Sequence, residues 1–276
     1  MTMQIIDRGN GPALIVVPGV QGRWEYMRPA VEALSAYFRV LTFSLDAGDL
    51  DGYAQQVAEV LSRKGIDRAA ICGVSFGGLV AVRFAAQNPA RCTALILAST
   101  PRPAFRLRRR HQIYVRAPWV FFPIFIAESP LRLRPEIRAA IPDPSARRRF
   151  ALRGLRTLLS APVSVSRMAA RARLIASVDL GPDCERIVAP TLVVTGERHL
   201  DHVVPVEGSS EYLRMIPNAR SAVLEQTGHL GSITRPDAFA TMIRDFVRAS
   251  DPSRLAGASP DGRSAPTAGP VRGLVA

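Results

Sequence analysis

Six short runs, rich in Val, Ile, Leu and Ala, recur along this chain with helix-like stretches between them. They cover 13–17, 39–45, 69–74, 92–98, 191–195 and 221–224. A continuous apolar run has no wet face, so a strand of this kind must be covered on both sides. The stretches 28–37, 53–64, 76–87, 206–215 and 236–248 carry apolar residues three and four apart, the spacing of an amphipathic helix. Pro236 suits a first helical turn. Alternating strand and helix predicts an α/β fold with a mostly parallel, doubly wound sheet and helices on both faces. A further short strand over 4–7 ends at the turn 8–12 and reads as an edge.

The alternation stops at Thr100 and resumes after Glu185. Prolines are frequent there, and only 147–159 and 164–178 read as helices, so this block is predicted to be a helical insertion. The expected organisation is a core in two parts, 1–99 and 186–249, with a cap over 100–185. Residues 250–276 are rich in Pro, Gly, Ser and Ala and predict a disordered tail. The chain has 276 residues, enough for one large α/β domain without requiring two.

Charge narrows the function classes. The net charge is +13. Between Pro101 and Asp183 stand 17 arginines and 5 acidic residues, a local net of +12. Nearly all the excess is therefore in the insertion. A solvated basic face accounts for it, with an anion- or membrane-facing surface as the alternative; nucleic-acid binding would rest on arginine content alone and is not expected. No apolar run reaches the ~18 residues of a transmembrane segment. The start of the chain lacks the basic and apolar regions of a secretory leader. Cys72, Cys92 and Cys184 have no metal-ligand spacing, and the odd count suits reduced thiols in the cytoplasm.

The most specific local pattern is Gly73-Val74-Ser75-Phe76-Gly77-Gly78, a G-x-S-x-G motif between an apolar strand and an apolar helix. A serine on such a sharp turn takes a strained backbone conformation and projects its hydroxyl from the sheet edge. The residues two before and two after it then crowd each other. Gly73 and Gly77 relieve that clash because they lack Cβ. The helix start also favours negative charge beside Ser75.

In this motif and its setting the sequence resembles the α/β-hydrolase family, over roughly residues 5–248. The resemblance implies further residues. The loop 18–22 after the first buried strand would supply one oxyanion donor, the backbone N–H of Val20, and the N–H of Phe76 would supply the other. Many family members carry His-Gly in this loop, where this chain has Pro18-Gly19. The family's catalytic histidine follows the last strand, which points to His229 in Gln226-Thr227-Gly228-His229. The acid follows the strand before it. Asp201 matches, four residues ahead of Pro205, but its loop is two residues longer than the family's usual form, and Glu197 is a rival. The order Ser75, Asp201, His229 is the order of this fold. A serine at the elbow argues against relatives whose nucleophile is aspartate.

Expected chemistry is hydrolysis of an ester or thioester of a small to medium apolar acyl substrate through an acyl-enzyme, with no cofactor and no metal. Lactonase, C–C bond hydrolase, amidase and acyltransferase chemistries run on the same groups, and a non-catalytic ligand-binding protein of this fold is a further alternative. His199 and His202 read as loop polar groups rather than metal ligands. The apolar, aromatic stretch 114–127 reads as cap residues packed on the core or lining an acyl pocket. The sequence leaves substrate identity and oligomeric state open.

Overall fold

Apolar periodicity is realised as a seven-stranded sheet. The computed structural model describes residues 3–104 and 118–250, and of residues 118 and 120–127 the backbone alone. The arginine run 108–110, residues 114–117 of the apolar stretch and the segment 251–276 lie outside the described residues.

The strands are β1 (Ile5–Arg8), β2 (Ala13–Val17), β3 (Arg39–Phe43), β4 (Ala69–Val74), β5 (Cys92–Ala98), β6 (Thr191–Thr195) and β7 (Ala219–Val223). Their spatial order is β1-β3-β2-β4-β5-β6-β7. Only β1 runs antiparallel to its neighbour; all other pairs are parallel. The core helices are α1 (Arg28–Leu34), α2 (Leu50–Arg63) and α3 (Phe76–Gln87). The insertion between β5 and β6 carries α4 (Pro118–Ala140), α5 (Pro144–Ser160), α6 (Val165–Ser177) and α7 (Gly181–Glu185). After β6 come α8 (Val206–Ser209), α9 (Tyr212–Met215), α10 (Gly231–Thr234) and α11 (Pro236–Ala249).

Strand alternation divides the core between the two faces of the sheet. Ile15, Val17, Leu41, Phe43 and Ile71 pack with α2 and α3. Leu14, Val16, Val40, Ala70 and Cys72 pack with α1 and α11. Successive side chains of each run thus enter opposite cores, which is why the runs are apolar throughout. The helices start on side-chain caps where the sequence offers them. Asp49 accepts from the Gly52 amide, Asp143 from Ser145 and Ala146, and Ser164 from Arg167.

Several boundaries differ from the sequence reading. β7 begins two residues earlier than expected and is largely exposed. It pairs only with β6, so that ladder, not apolar burial, sets its extent. The helix expected over 206–215 is two short helices. The 23-residue α4 was not anticipated, since Pro123, Pro130 and Pro135 lie inside it and each removes a helical N–H.

Candidate active site

The loops that follow β2, β4, β6 and β7 all leave the C-terminal edge of the sheet, where α/β folds place their sites. Ser75 joins β4 to α3 with φ 54° and ψ −120°, a left-handed backbone that costs a non-glycine residue. Its amide donates to Ala98 O at 2.8 Å, tying the turn to β5. A Cβ on Gly73 would lie 2.3 Å from Gly77 O, and one on Gly77 would lie 2.2 Å from Val17 O. The crowding expected around the serine is therefore present, and the missing side chains let the turn sit against β2.

His229 lies across the sheet edge from this turn. Its Nε2 is 3.2 Å from Ser75 Oγ. On the other side of the ring, Nδ1 stands 3.6 Å from Asp201 Oδ2. That is longer than a hydrogen bond, and His229 Nδ1 makes none among the described residues. Closing this gap needs a movement of about half an ångström, a common adjustment between a free site and a substrate-bound one. Asp201 is itself well held: its Oδ1 accepts the amides of Val203 and Val204, both at 2.9 Å. Burial pushes the Asp201 carboxyl up, but His229 and the two amides outweigh it and keep the group below its ordinary range.

Glu197, the rival acid, points elsewhere. Its Oε1 accepts the Gln226 amide at 2.6 Å, and its own amide donates to Thr227 O at 2.7 Å. It braces the backbone leading to His229 without reaching the imidazole. His199 is exposed, with Nδ1 3.5 Å from Glu197 Oε2.

The loop 18–22 passes beside the elbow. A Cβ on Gly19 would be 3.5 Å from Ser75 Cβ, an ordinary contact. As the first residue of α3, Phe76 has no helical acceptor for its N–H. The amides of Val20 and Phe76 are the two backbone donors that the sequence reading singled out. Sequence reasoning missed what holds them. Arg171 of α6, 2% exposed, donates through Nη1 to Val20 O and Gln21 O, both at 3.2 Å, and through Nη2 to Leu45 O at 2.8 Å. Its Nε donates to Tyr53 OH at 3.1 Å. The Tyr53 ring meets Phe76 edge-on, 5.5 Å between centroids. Gly22 admits the guanidinium, because a Cβ there would lie 2.3 Å from it, and its φ of +71° also favours glycine.

The serine turn, the two donor amides, the histidine and the carboxylate follow strands in the order typical of one fold. The alpha/beta hydrolase family model matches residues 14–242. This chain belongs to the alpha/beta hydrolase family. It is a hydrolase of that fold, with a helical cap inserted between β5 and β6. It is 28% identical over 255 residues to a pimeloyl-[acyl-carrier protein] methyl ester esterase from Aliivibrio salmonicida, spanning 88% of this chain and 95% of the relative. It is 25% identical to a 2-hydroxy-6-oxononadienedioate/2-hydroxy-6-oxononatrienedioate hydrolase from Cupriavidus pinatubonensis, over 87% of this chain and 89% of the relative. Among solved structures it resembles the enol-lactonase of Burkholderia xenovorans LB400, with a TM-score of 0.72, 22% identity, and coverage of 89% and 96%. That last likeness concerns the fold. Among the described residues, no helix of this family member is long and apolar enough to cross a membrane.

Proposed function

We propose that this chain is a serine hydrolase that cleaves an ester or thioester of a small to medium apolar acyl group. The observation that carries the reading is the 3.2 Å approach of Ser75 Oγ to His229 Nε2 on a strained turn. His229 takes the Ser75 proton as Oγ attacks the carbonyl carbon. The amides of Val20 and Phe76 receive the oxyanion. Collapse of that intermediate breaks the bond to the leaving alcohol or thiol, which takes the proton from His229. Water then gives a proton to His229, attacks the acyl carbon and releases the acid, and Ser75 regains its proton. Asp201 keeps the Nδ1–H of His229 turned toward itself and balances the imidazolium.

The apolar preference rests on the cap stretch 114–127 of the sequence. The relatives' names, a methyl ester esterase and an oxo-dienedioate hydrolase, support acyl-type chemistry. The three cysteines are buried and free, and burial pushes each thiol up to about 12. Unreactive thiols of this kind suit a reducing compartment, and we place the protein in the cytoplasm.

A panel of p-nitrophenyl esters, acyl thioesters, lactones and vinylogous diketones tests the reading. Wild-type enzyme should turn over the esters or thioesters best. Ser75→Ala should fold normally and lose hydrolysis by roughly 10⁴-fold or more. Turnover near the wild-type rate in that variant would remove Ser75 from the chemistry.

A further inference from the structure

A buried carboxylate near the site takes no part in the reaction as written. It is Glu136, near the end of α4, and it is the one fully buried side chain among the described residues of that helix. Its exposure is 0%. Helices bury apolar side chains first, and a charge reaches such a position only with partners that compensate it. The partners of Glu136 are backbone. Its Oε2 accepts the His229 amide at 3.0 Å, and its Oε1 accepts the Leu230 amide.

We propose that Glu136 is a positioning residue for the catalytic base: from the cap, its carboxylate grips the two amides that carry His229. The proposal rests on the Ser75–His229 reading and goes beyond it.

Three observations support a grip on the loop over simple packing. Both carboxylate oxygens are used, on adjacent amides, so the group fixes translation and rotation of the peptide. The grip also has an opposing jaw. A Cβ on Gly228 would lie 2.8 Å from Glu136 Oε2 and 2.4 Å from Leu200 O. The peptide before His229 is therefore threaded, without a side chain, between Glu136 and the loop that carries Asp201. Finally, the correction that His229 needs is small. Its Nδ1 lies 3.6 Å from Asp201 while its Nε2 is already 3.2 Å from Ser75. A displacement of the His229 backbone by a fraction of an ångström decides whether the ring satisfies both partners, and misplacement on the scale of 1 Å costs roughly 100-fold in rate.

Among the described residues, the titratable groups acting on Glu136 are His229 and Asp201, each on a different loop. Burial pushes the Glu136 carboxyl up, and Asp201 adds to this; the two amides and His229 pull it down, leaving it at about 7. The ionised form accepts both amides. Protonation turns one oxygen into a donor and loosens the grip.

The test compares wild type, Glu136→Gln, Glu136→Asp and Ser75→Ala on one p-nitrophenyl ester. In Glu136→Gln the side-chain NH₂ faces a backbone N–H, so one amide loses its acceptor. We expect kcat to fall roughly 10- to 100-fold with KM changed less than about threefold. Glu136→Asp keeps both oxygens on a shorter stem and should recover part of the loss. The pH profile is a second readout. Wild type should lose activity as pH falls through about 7 and Glu136 takes a proton, and Glu136→Gln should lack that step. Wild-type kcat in Glu136→Gln, an effect on KM alone, or unchanged acid limbs would each overturn the proposal. If Glu136→Gln fails to fold, Glu136→Asp decides: kcat lowered with KM kept and a shifted acid limb supports the grip, and wild-type kinetics refutes it. A dead Ser75→Ala beside a fully active Glu136→Gln removes only the role of Glu136. A fully active Ser75→Ala removes the catalytic reading itself.

Discussion

The sheet and the cap of this hydrolase bury their residues to different extents. All six residues of β4 and all five of β6 are buried, and their neighbours on both faces are aliphatic or aromatic. The cap helix α5 has no buried residue, and Leu159 on it is 74% exposed. The described part of the cap reaches the core in two ways: Leu180 and Cys184 lie in an apolar cluster with Leu174, Ile175 and Val178 packed against it, and single polar side chains enter among backbone groups. Arg171 of α6 enters among the carbonyls of Val20, Gln21 and Leu45, and Glu136 of α4 among the amides of His229 and Leu230. Further ties join Tyr26 OH to Ala161 O and Arg167 to Asp46. A substitution in the close-packed core costs stability through lost packing, whereas loss of a buried polar tie also frees the backbone group it pairs with. The ties of Glu136 and Arg171 fall on the two loops that carry His229 and Val20.

The largest effect should come from within the core loops. Asp201→Asn is expected to lower kcat by roughly 10²–10⁴-fold, because the wrong histidine tautomer forms and the imidazolium loses its counter-charge. Glu197→Gln should cost less than about tenfold, since its partner is the Gln226 amide rather than the ring. Two kcat measurements on one activated ester, with circular dichroism on both variants, check this. The reverse ranking would hand the acid role to Glu197.

The contrast between core and cap is sharpened by pairing two cap substitutions. Arg171→Met leaves three carbonyls and a tyrosine hydroxyl without their donor, and should cost about 3 kcal/mol in urea unfolding with roughly a tenfold fall in kcat. Leu159→Gln, in the same cap but far from an anchor, should stay within about 0.5 kcal/mol of wild type. Equal costs would mean that the cap packs as a unit and has no privileged anchors.

Glu136 adds a pH dependence with a defined sign. Burial moves its carboxyl from the ordinary 4.5 to about 7, so the folded protein holds this proton longer than the unfolded chain. That contribution to stability is fully present below pH 4.5 and is lost as pH rises through about 7. Wild type should therefore lose up to about 3 kcal/mol relative to Glu136→Gln between pH 4.5 and about pH 8. Denaturation curves for both proteins across that range measure it. A constant difference would show that Glu136 stays ionised throughout. Stability and alignment pull against each other at this residue, because the ionised form that grips His229 best is the form that burial penalises.

Much of this could be read from the sequence, for a local reason. A strand buried on both faces must be apolar at every position, so 13–17, 69–74, 92–98 and 191–195 were bounded correctly from composition and spacing alone. The elbow glycines follow from the crowding of one turn, within five residues. Ser75, His229 and Asp201 each follow a strand, so locating the strands located the three loops that the structure brings together. The cap was legible only as a break in the pattern. Three internal prolines argue against a helix over Pro118–Ala140, and no local count could have overruled them. Glu136 and Arg171 carry no signature in their neighbourhoods, where acidic and basic residues on amphipathic helices read as solvated surface. Their partners lie 93 and 151 residues away. Whether such a side chain is a surface charge or a buried anchor depends on which backbone groups the finished fold leaves unpaired beneath it, and only the tertiary structure decides that.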